Sequence, residues 1–255
     1  MKLKLIALAA VLAVAGSANA AVIDNGAAGN GGLFFNIWDG ANSYSRNLGY
    51  SIDSFEAGLA AAGSFSQVFA ADATFTSFMN AVDTTTLKWN VSATDRQGAV
   101  RVLETFTEPK PLTGKTGDVV RTLAGGTSAF VDQLNLKLAS TDSATYASGT
   151  PGYTGANTAI TGTSLNFPNA GTFANNSVAT GLSFMRINAA STGIAASTYN
   201  QYLDGTDAVK VYLDGSNALH ISAVTAVPEP ESYAMLLAGL GLMGAIARRR
   251  NKKSA

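Results

Sequence analysis

Residues 87–94, LKWNVSAT, constrain the fold of this chain more than any other stretch. Leu87, Trp89, Val91 and Ala93 alternate with Lys88, Asn90, Ser92 and Thr94. A period of two sends the sets to opposite faces of a β-strand, so the stretch predicts a half-buried strand with its polar face in solvent. Asp95-Arg96-Gln97-Gly98 reads as a turn and residues 99–107 as the antiparallel partner. Pro109 and Pro111 end that unit, and a linker is expected from there to about Gly126.

Similar short units precede and follow it. Residues 24–32 form a Gly/Asn-rich entry loop, 33–38 a strand, Asp39-Gly40 a turn signal, and 44–52 a returning strand. Residues 182–187, 209–213 and 219–224 read as strands, the last two joined by the tight turn Asp214-Gly215-Ser216-Asn217. Short helices are expected at 55–62 and at 74–82, where Phe75, Phe78, Met79 and Val82 recur at helical spacing. Residues 128–140 fit both periods, and the helix is favoured behind a Thr127 or Ser128 cap. Residues 140–181 are rich in Ser, Thr, Gly, Asn and Ala, which suits long loops and edge strands. No internal repeat is present. The expected class is mainly β, a β-sandwich-like domain with a few short helices.

The two ends differ in kind from this middle. Lys2 and Lys4, the apolar run 5–15 and Ala18-Asn19-Ala20 have the order of a secretory signal peptide over residues 1–20. Signal peptidase is expected to cut after Ala20, with Ala18 and Ala20 as the small residues it requires. The exported domain then covers residues 21–226. That portion holds 10 Lys plus Arg against 15 Asp plus Glu, so it is modestly acidic and offers no basic footprint for nucleic acid. The chain contains no cysteine, which removes disulfides, thiolate metal sites and cysteine nucleophiles together.

The other end, residues 227–255, has three parts. Pro228-Glu229-Pro230 is stiff and extended, because each proline fixes its own φ and restricts the residue before it. Residues 233–247 form an apolar run expected to be a single hydrophobic helix, followed by a basic end at 248–253. A 15-residue helix rises roughly 22 Å against a hydrocarbon core of about 30 Å, which predicts transient membrane insertion. The basic end holds the C-terminus in the cytoplasm and leaves the domain outside. Gly239, Gly241 and Gly244 match GxGxxG in form only, since no βαβ unit surrounds them.

Val227-Pro228-Glu229-Pro230, the apolar run around Leu236-Leu237-Ala238-Gly239 and the triplet Arg248-Arg249-Arg250 together resemble the PEP-CTERM sorting domain. The resemblance covers about 28 of 255 residues. It implies a substrate of exosortase, a membrane-bound processing enzyme of Gram-negative bacteria that make exopolysaccharide. It further implies processing near Pro228, Glu229 and Pro230, with Arg248, Arg249 and Arg250 as the stop. An inner-membrane intermediate would precede delivery to the cell surface or beyond, with exopolysaccharide as an implied partner. About the domain in front it implies nothing.

Catalytic candidates in that domain are sparse. His220 is the only histidine, lies on an expected strand and has no GxSxG elbow to serve, so it reads as a half-exposed strand residue. One histidine and no cysteine argue against zinc or copper. Calcium would need oxygen ligands, and Asp204, Asp207 and Asp214, or Asp39 and Asp53, are the nearest groupings; none forms a recognised loop. Trp38, Tyr44, Tyr50 and Trp89 suit either a sugar-stacking platform or the core, with the core favoured for Trp89. The sequence reading is thus a non-enzymatic exported surface or matrix protein without cofactor or metal, structural or adhesive in a biofilm. Its alternatives are a carbohydrate-active enzyme using paired carboxylates and a permanently anchored single-pass surface protein.

Overall fold

The computed structural model describes residues 22–61, 65–107, 115–162, 170–173 and 180–223. The signal peptide with Ala18 and Ala20, Pro109 and Pro111, and the whole sorting tail with Pro228 and Arg248 lie outside the described residues.

The described strands are β1 (Gly32–Trp38), β2 (Asn42–Ser51), β3 (Ser66–Phe69), β4 (Lys88–Asp95), β5 (Arg101–Phe106), β6 (Ser143–Ala147), β7 (Gly171–Thr172), β8 (Leu182–Asn188), β9 (Thr198–Gln201), β10 (Leu203–Asp204), β11 (Asp207–Leu213) and β12 (Leu219–Ala223). Three helices are described: α1 (Ile52–Ala61), α2 (Ala73–Ala81) and α3 (Gly117–Leu138). Every strand pairing is antiparallel, and the main path through the sheet is β3-β12-β11-β8-β5-β4-β1-β2-β6.

The fold is mainly β as expected, but the β-sandwich-like arrangement is corrected by this path, because one continuous ladder joins the strands. The sheet curls instead. β3 and β2 are seven strand spacings apart, roughly 34 Å if the sheet were flat. Yet the Tyr50 hydroxyl of β2 donates to Gln67 Oε1 of β3 at 2.7 Å, and its ring meets Phe69 edge-on with centroids 6.1 Å apart. Arg46 of β2 also donates to the Ala70 carbonyl at 2.6 Å.

Curling gives the sheet an inner and an outer face. Inside lie Leu33, Phe35 and Ile37 of β1, Trp89, Val91 and Ala93 of β4, Phe184 of β8, and Val209 and Val211 of β11. Phe55 of α1 and Phe75 and Phe78 of α2 pack into the same cluster. Ser51 and Ser54 start α1 by reciprocal bonds, each side-chain oxygen accepting from the other residue's amide. Asp72 caps α2, its Oδ1 accepting from the Phe75 amide at 2.7 Å.

The outer face is covered by α3. Phe130, Val131, Leu134 and Leu138 meet Phe34, Ile23, Tyr146 and Ile160, while Val120, Leu123 and Ala124 meet Val102, Met185 and Ile187. The expected linker is corrected here: the apolar stripe begins at Val120, and Gly125-Gly126 lies within the helix. Gly126 marks a close approach, since a Cβ there would come within 2.7 Å of Ala159 Cβ. The helix over 128–140 is confirmed within this longer element. So is an edge strand in the small-residue stretch, as β6.

The half-buried strand is corrected as well. All of β4 after Lys88 is buried, because α3 and residues 153–160 cover the polar face. Ser45 Oγ donates to Asn36 Oδ1 (2.8 Å), Asn36 Nδ2 to Asn90 Oδ1 (3.1 Å), and Asn90 Nδ2 to the Ile160 carbonyl (2.8 Å). Ser92 Oγ donates to Glu104 Oε2 at 2.7 Å. β3, β9 and β10 carry no sequence signal of their own; each is four residues or fewer and runs beside a stronger strand.

Candidate functional site

At one end of the curled sheet, α1 lies against β4, β5, β8 and the chain between β9 and β10. Arg101 of β5 and Arg186 of β8 occupy the same phase as the inward Leu103 and Phe184, so their guanidinium groups emerge at the rim of the inner face. Glu56 of α1 meets both. Its Oε2 lies 3.0 Å from Arg101 Nη1 and 3.0 Å from Arg186 Nη1, and its Oε1 accepts from the Tyr202 hydroxyl at 2.6 Å. Arg101 also holds Asp95 at 3.0 Å and Asp53. The Arg101 side chain is only 12% exposed; burial works to lower its pKa, but the bonds to Asp53 and Asp95 and the charges of Asp53 and Glu56 together outweigh it and raise it. Burial, followed by the bond to Glu56, pushes the Tyr202 phenol far above its ordinary range and keeps it neutral. Both oxygens of Glu56 are thus committed to a clasp between helix and sheet.

Outside this clasp opens a cleft of about 540 Å³. Glu56, Leu59, Arg186, Asn200, Leu203 and Asp204 are among its lining residues. Arg186 turns Nε to Asn188 Oδ1 at 2.7 Å and Nη1 to Glu56. Asp204 Oδ2 accepts from the Phe65 amide at 2.6 Å. None of Glu56, Arg101, Arg186 and Tyr202 was singled out from sequence. The available signal was a charged residue in phase with Leu103 on β5 and with Phe184 on β8.

The sequence-predicted candidates are dispersed. His220 of β12 is half-buried, stacked on Tyr212 at 4.6 Å, with Nε2 2.8 Å from Asp214 Oδ2. Partial desolvation works to raise the Asp214 pKa, but bonds from Ser216, His220 and the Ala218 amide outweigh it and hold the carboxyl well below the usual range. Asp214 Oδ1 accepts from the Ser216 amide, the Ser216 hydroxyl and the Ala218 amide, so this pair organises the β11–β12 hairpin. Asp39 caps the β1–β2 turn through the Ala41 and Asn42 amides, and Asp53 serves Arg101. Among the described residues no group of three or more His, Cys, Asp or Glu side chains is placed to hold a metal ion.

Of the two readings of the aromatic residues the core holds, as favoured for Trp89. Trp38, Tyr44 and Trp89 are buried, Trp89 completely, with its indole Nε1 donating to the Thr172 carbonyl at 3.0 Å. Tyr44 packs against Phe75 at 4.7 Å and donates to Asp72 Oδ2, and Tyr50 closes the curl of the sheet.

The comparisons with known proteins bear on the tail. Residues 226–251 match the model of the PEP-CTERM protein-sorting motif, so the chain carries that motif where the resemblance placed it. The motif implies processing by exosortase, a membrane enzyme, and export through the membrane to the cell surface of a Gram-negative bacterium. No curated protein and no solved structure matches the chain. No helix among the described residues is long and apolar enough to cross a membrane; the apolar run 233–247 lies outside them.

Proposed function

We propose that residues 21–226 act as a non-enzymatic surface or matrix protein, structural or adhesive within the exopolysaccharide layer of a biofilm. The observation that carries this reading is the sorting motif at 226–251. On this reading signal peptidase cuts after Ala20. Exosortase then acts near Pro228, Glu229 and Pro230, while Arg248, Arg249 and Arg250 hold the tail in the inner membrane. The use of the carboxylates supports a binding rather than a hydrolytic role. Asp39, Asp72 and Asp214 organise turns and caps, and Glu56, Asp53 and Asp95 neutralise arginines. A glycoside hydrolase needs two carboxyl groups that face a shared space and are free to react; of the two that line the cleft beside α1, Glu56 has both oxygens engaged by Arg101, Arg186 and Tyr202.

The test uses the protein recovered from its host's surface, incubated with polysaccharide purified from the same culture. Saturable binding with polymer length unchanged is the expected result. Shorter chains with new reducing ends would replace this reading with the carbohydrate-active enzyme.

A further inference from the structure

The cleft beside α1 holds unspent polar valences next to apolar surface, in a combination that the fold does not require. We infer that it is a binding site for a neutral, hydroxyl-rich saccharide segment; the assignment rests on the adhesive reading above and gives it a location.

Three groups face outward with capacity to spare. Arg186 uses Nε and Nη1 on Asn188 and Glu56, which leaves the N–H groups of Nη2 without a partner among the described residues. Asn200 of β9 lines the cleft, and its side-chain amide makes no hydrogen bond among the described residues. Asp204 spends Oδ2 on the Phe65 amide and keeps Oδ1. Together they offer a pair of donors, a mixed donor–acceptor and a pure acceptor on planar side chains. That set answers neighbouring hydroxyls, each of which donates once and accepts twice.

Leu59, Ala60 and Leu203 line the same space, and Leu203 is 49% exposed. They supply apolar surface for the C–H face of a sugar ring. A wholly apolar ligand would strip water from Arg186, Asn200 and Asp204 without return. An anionic ligand would meet one arginine, already paired with Glu56, against the two carboxylates of Glu56 and Asp204. Neutral hydroxyls therefore fit best. The cleft volume lies within the range of ordinary small-ligand sites, about 300–1,000 Å³.

The clasp beneath gives the site rigidity. Arg186 is fixed by Glu56 and Asn188, and β9 is registered on β8 with Asn200 opposite Arg186. Preorganised polar groups lose little freedom when a ligand arrives.

The test is calorimetric titration of the full chain in detergent with cellohexaose, mannohexaose and hexagalacturonate. Asn200→Ala removes the free amide and Asn200→Trp fills the cleft; neither removes a bond of the clasp, so both should melt like the parent. Leu136→Ser, on the exposed side of α3, is the distal control. At least one neutral hexamer should bind saturably, with hexagalacturonate at least ten-fold weaker. Asn200→Ala should weaken binding about ten-fold, Asn200→Trp should abolish it, and Leu136→Ser should leave it unchanged. Absence of binding by both neutral hexamers, preference for hexagalacturonate, or undiminished binding by Asn200→Trp would overturn the assignment. Polysaccharide from the host separates the two claims. If Asn200→Trp still binds it, the cleft assignment fails and the adhesive reading stands; if the parent protein does not bind it, the adhesive reading itself fails.

Discussion

The inner and outer faces of the curled sheet are built from the same strands yet held by different physics. Phe35 of β1 points inward among Phe75, Tyr44 and Trp89, with ring centroids 5.8 to 6.4 Å away. Its neighbour Asn36 points outward and is equally buried, but sits in a hydrogen-bond chain with Ser45 and Asn90. Inside, burial of large apolar groups stabilises, and the cost of error is a cavity. Outside, apolar clusters under α3 flank a polar strip, where burial is tolerated only because the amide groups find partners. Removing one partner there costs the desolvation of those left behind.

Three substitutions and one titration separate the faces, from the largest expected effect to the smallest. Trp89→Ala should cost about 4 kcal/mol by denaturant unfolding, since the side chain is completely buried inside the curl. A loss under about 1 kcal/mol would mean that the inner face is not close-packed. Glu56→Ala leaves Arg101 and Arg186 facing each other and Tyr202 without its acceptor. We expect about 3 kcal/mol, at the low end for a broken buried pair because Arg186 is one-third exposed. Asn90→Ala takes the acceptor from Asn36 Nδ2 and removes the bond to the Ile160 carbonyl, and should cost about 2 kcal/mol. A loss matching that of Trp89→Ala would erase the contrast between the faces.

The smallest effect lies at the β11–β12 hairpin. The Asp214 pKa is lower in the folded state than the ordinary carboxylate value of about 3.9. Its contribution to stability is therefore fully present above about pH 4 and is lost as the pH falls through the lowered value. Asp214→Asn should flatten the acid limb of a stability–pH curve below pH 4. An unchanged acid limb would show that other carboxylates dominate there.

Sequence reading succeeded where the signal is local. The alternation over 87–94 placed β4 and its inward Trp89, Val91 and Ala93, and Asp214-Gly215-Ser216-Asn217 placed the last hairpin. The sorting motif is a linear pattern and was legible in full. Failure came where the partner is distant in the chain. Asn90 looked solvent-facing because its cover, α3 and the Ile160 carbonyl, comes from residues far downstream. The clasp joins residues 45 to 146 positions apart, and no local period marks such a meeting. Curling was equally hidden, since the bond from Tyr50 to Gln67 depends on the curvature of the whole sheet. Arg101 and Arg186, charged in the same phase as the inward Leu103 and Phe184, were the one trace of the clasp.

On the proposed function, this fold is delivered by processing of the PEP-CTERM tail. The most direct test of this claim is the intact mass of the mature protein from its native host, beside a Pro228→Ala/Pro230→Ala variant. We predict that the native chain starts at Ala21 and ends near Pro228, and that the variant retains its Arg248-Arg249-Arg250 tail. A native protein still carrying residues 248–255 would contradict the claim and leave a permanently anchored single-pass protein in its place.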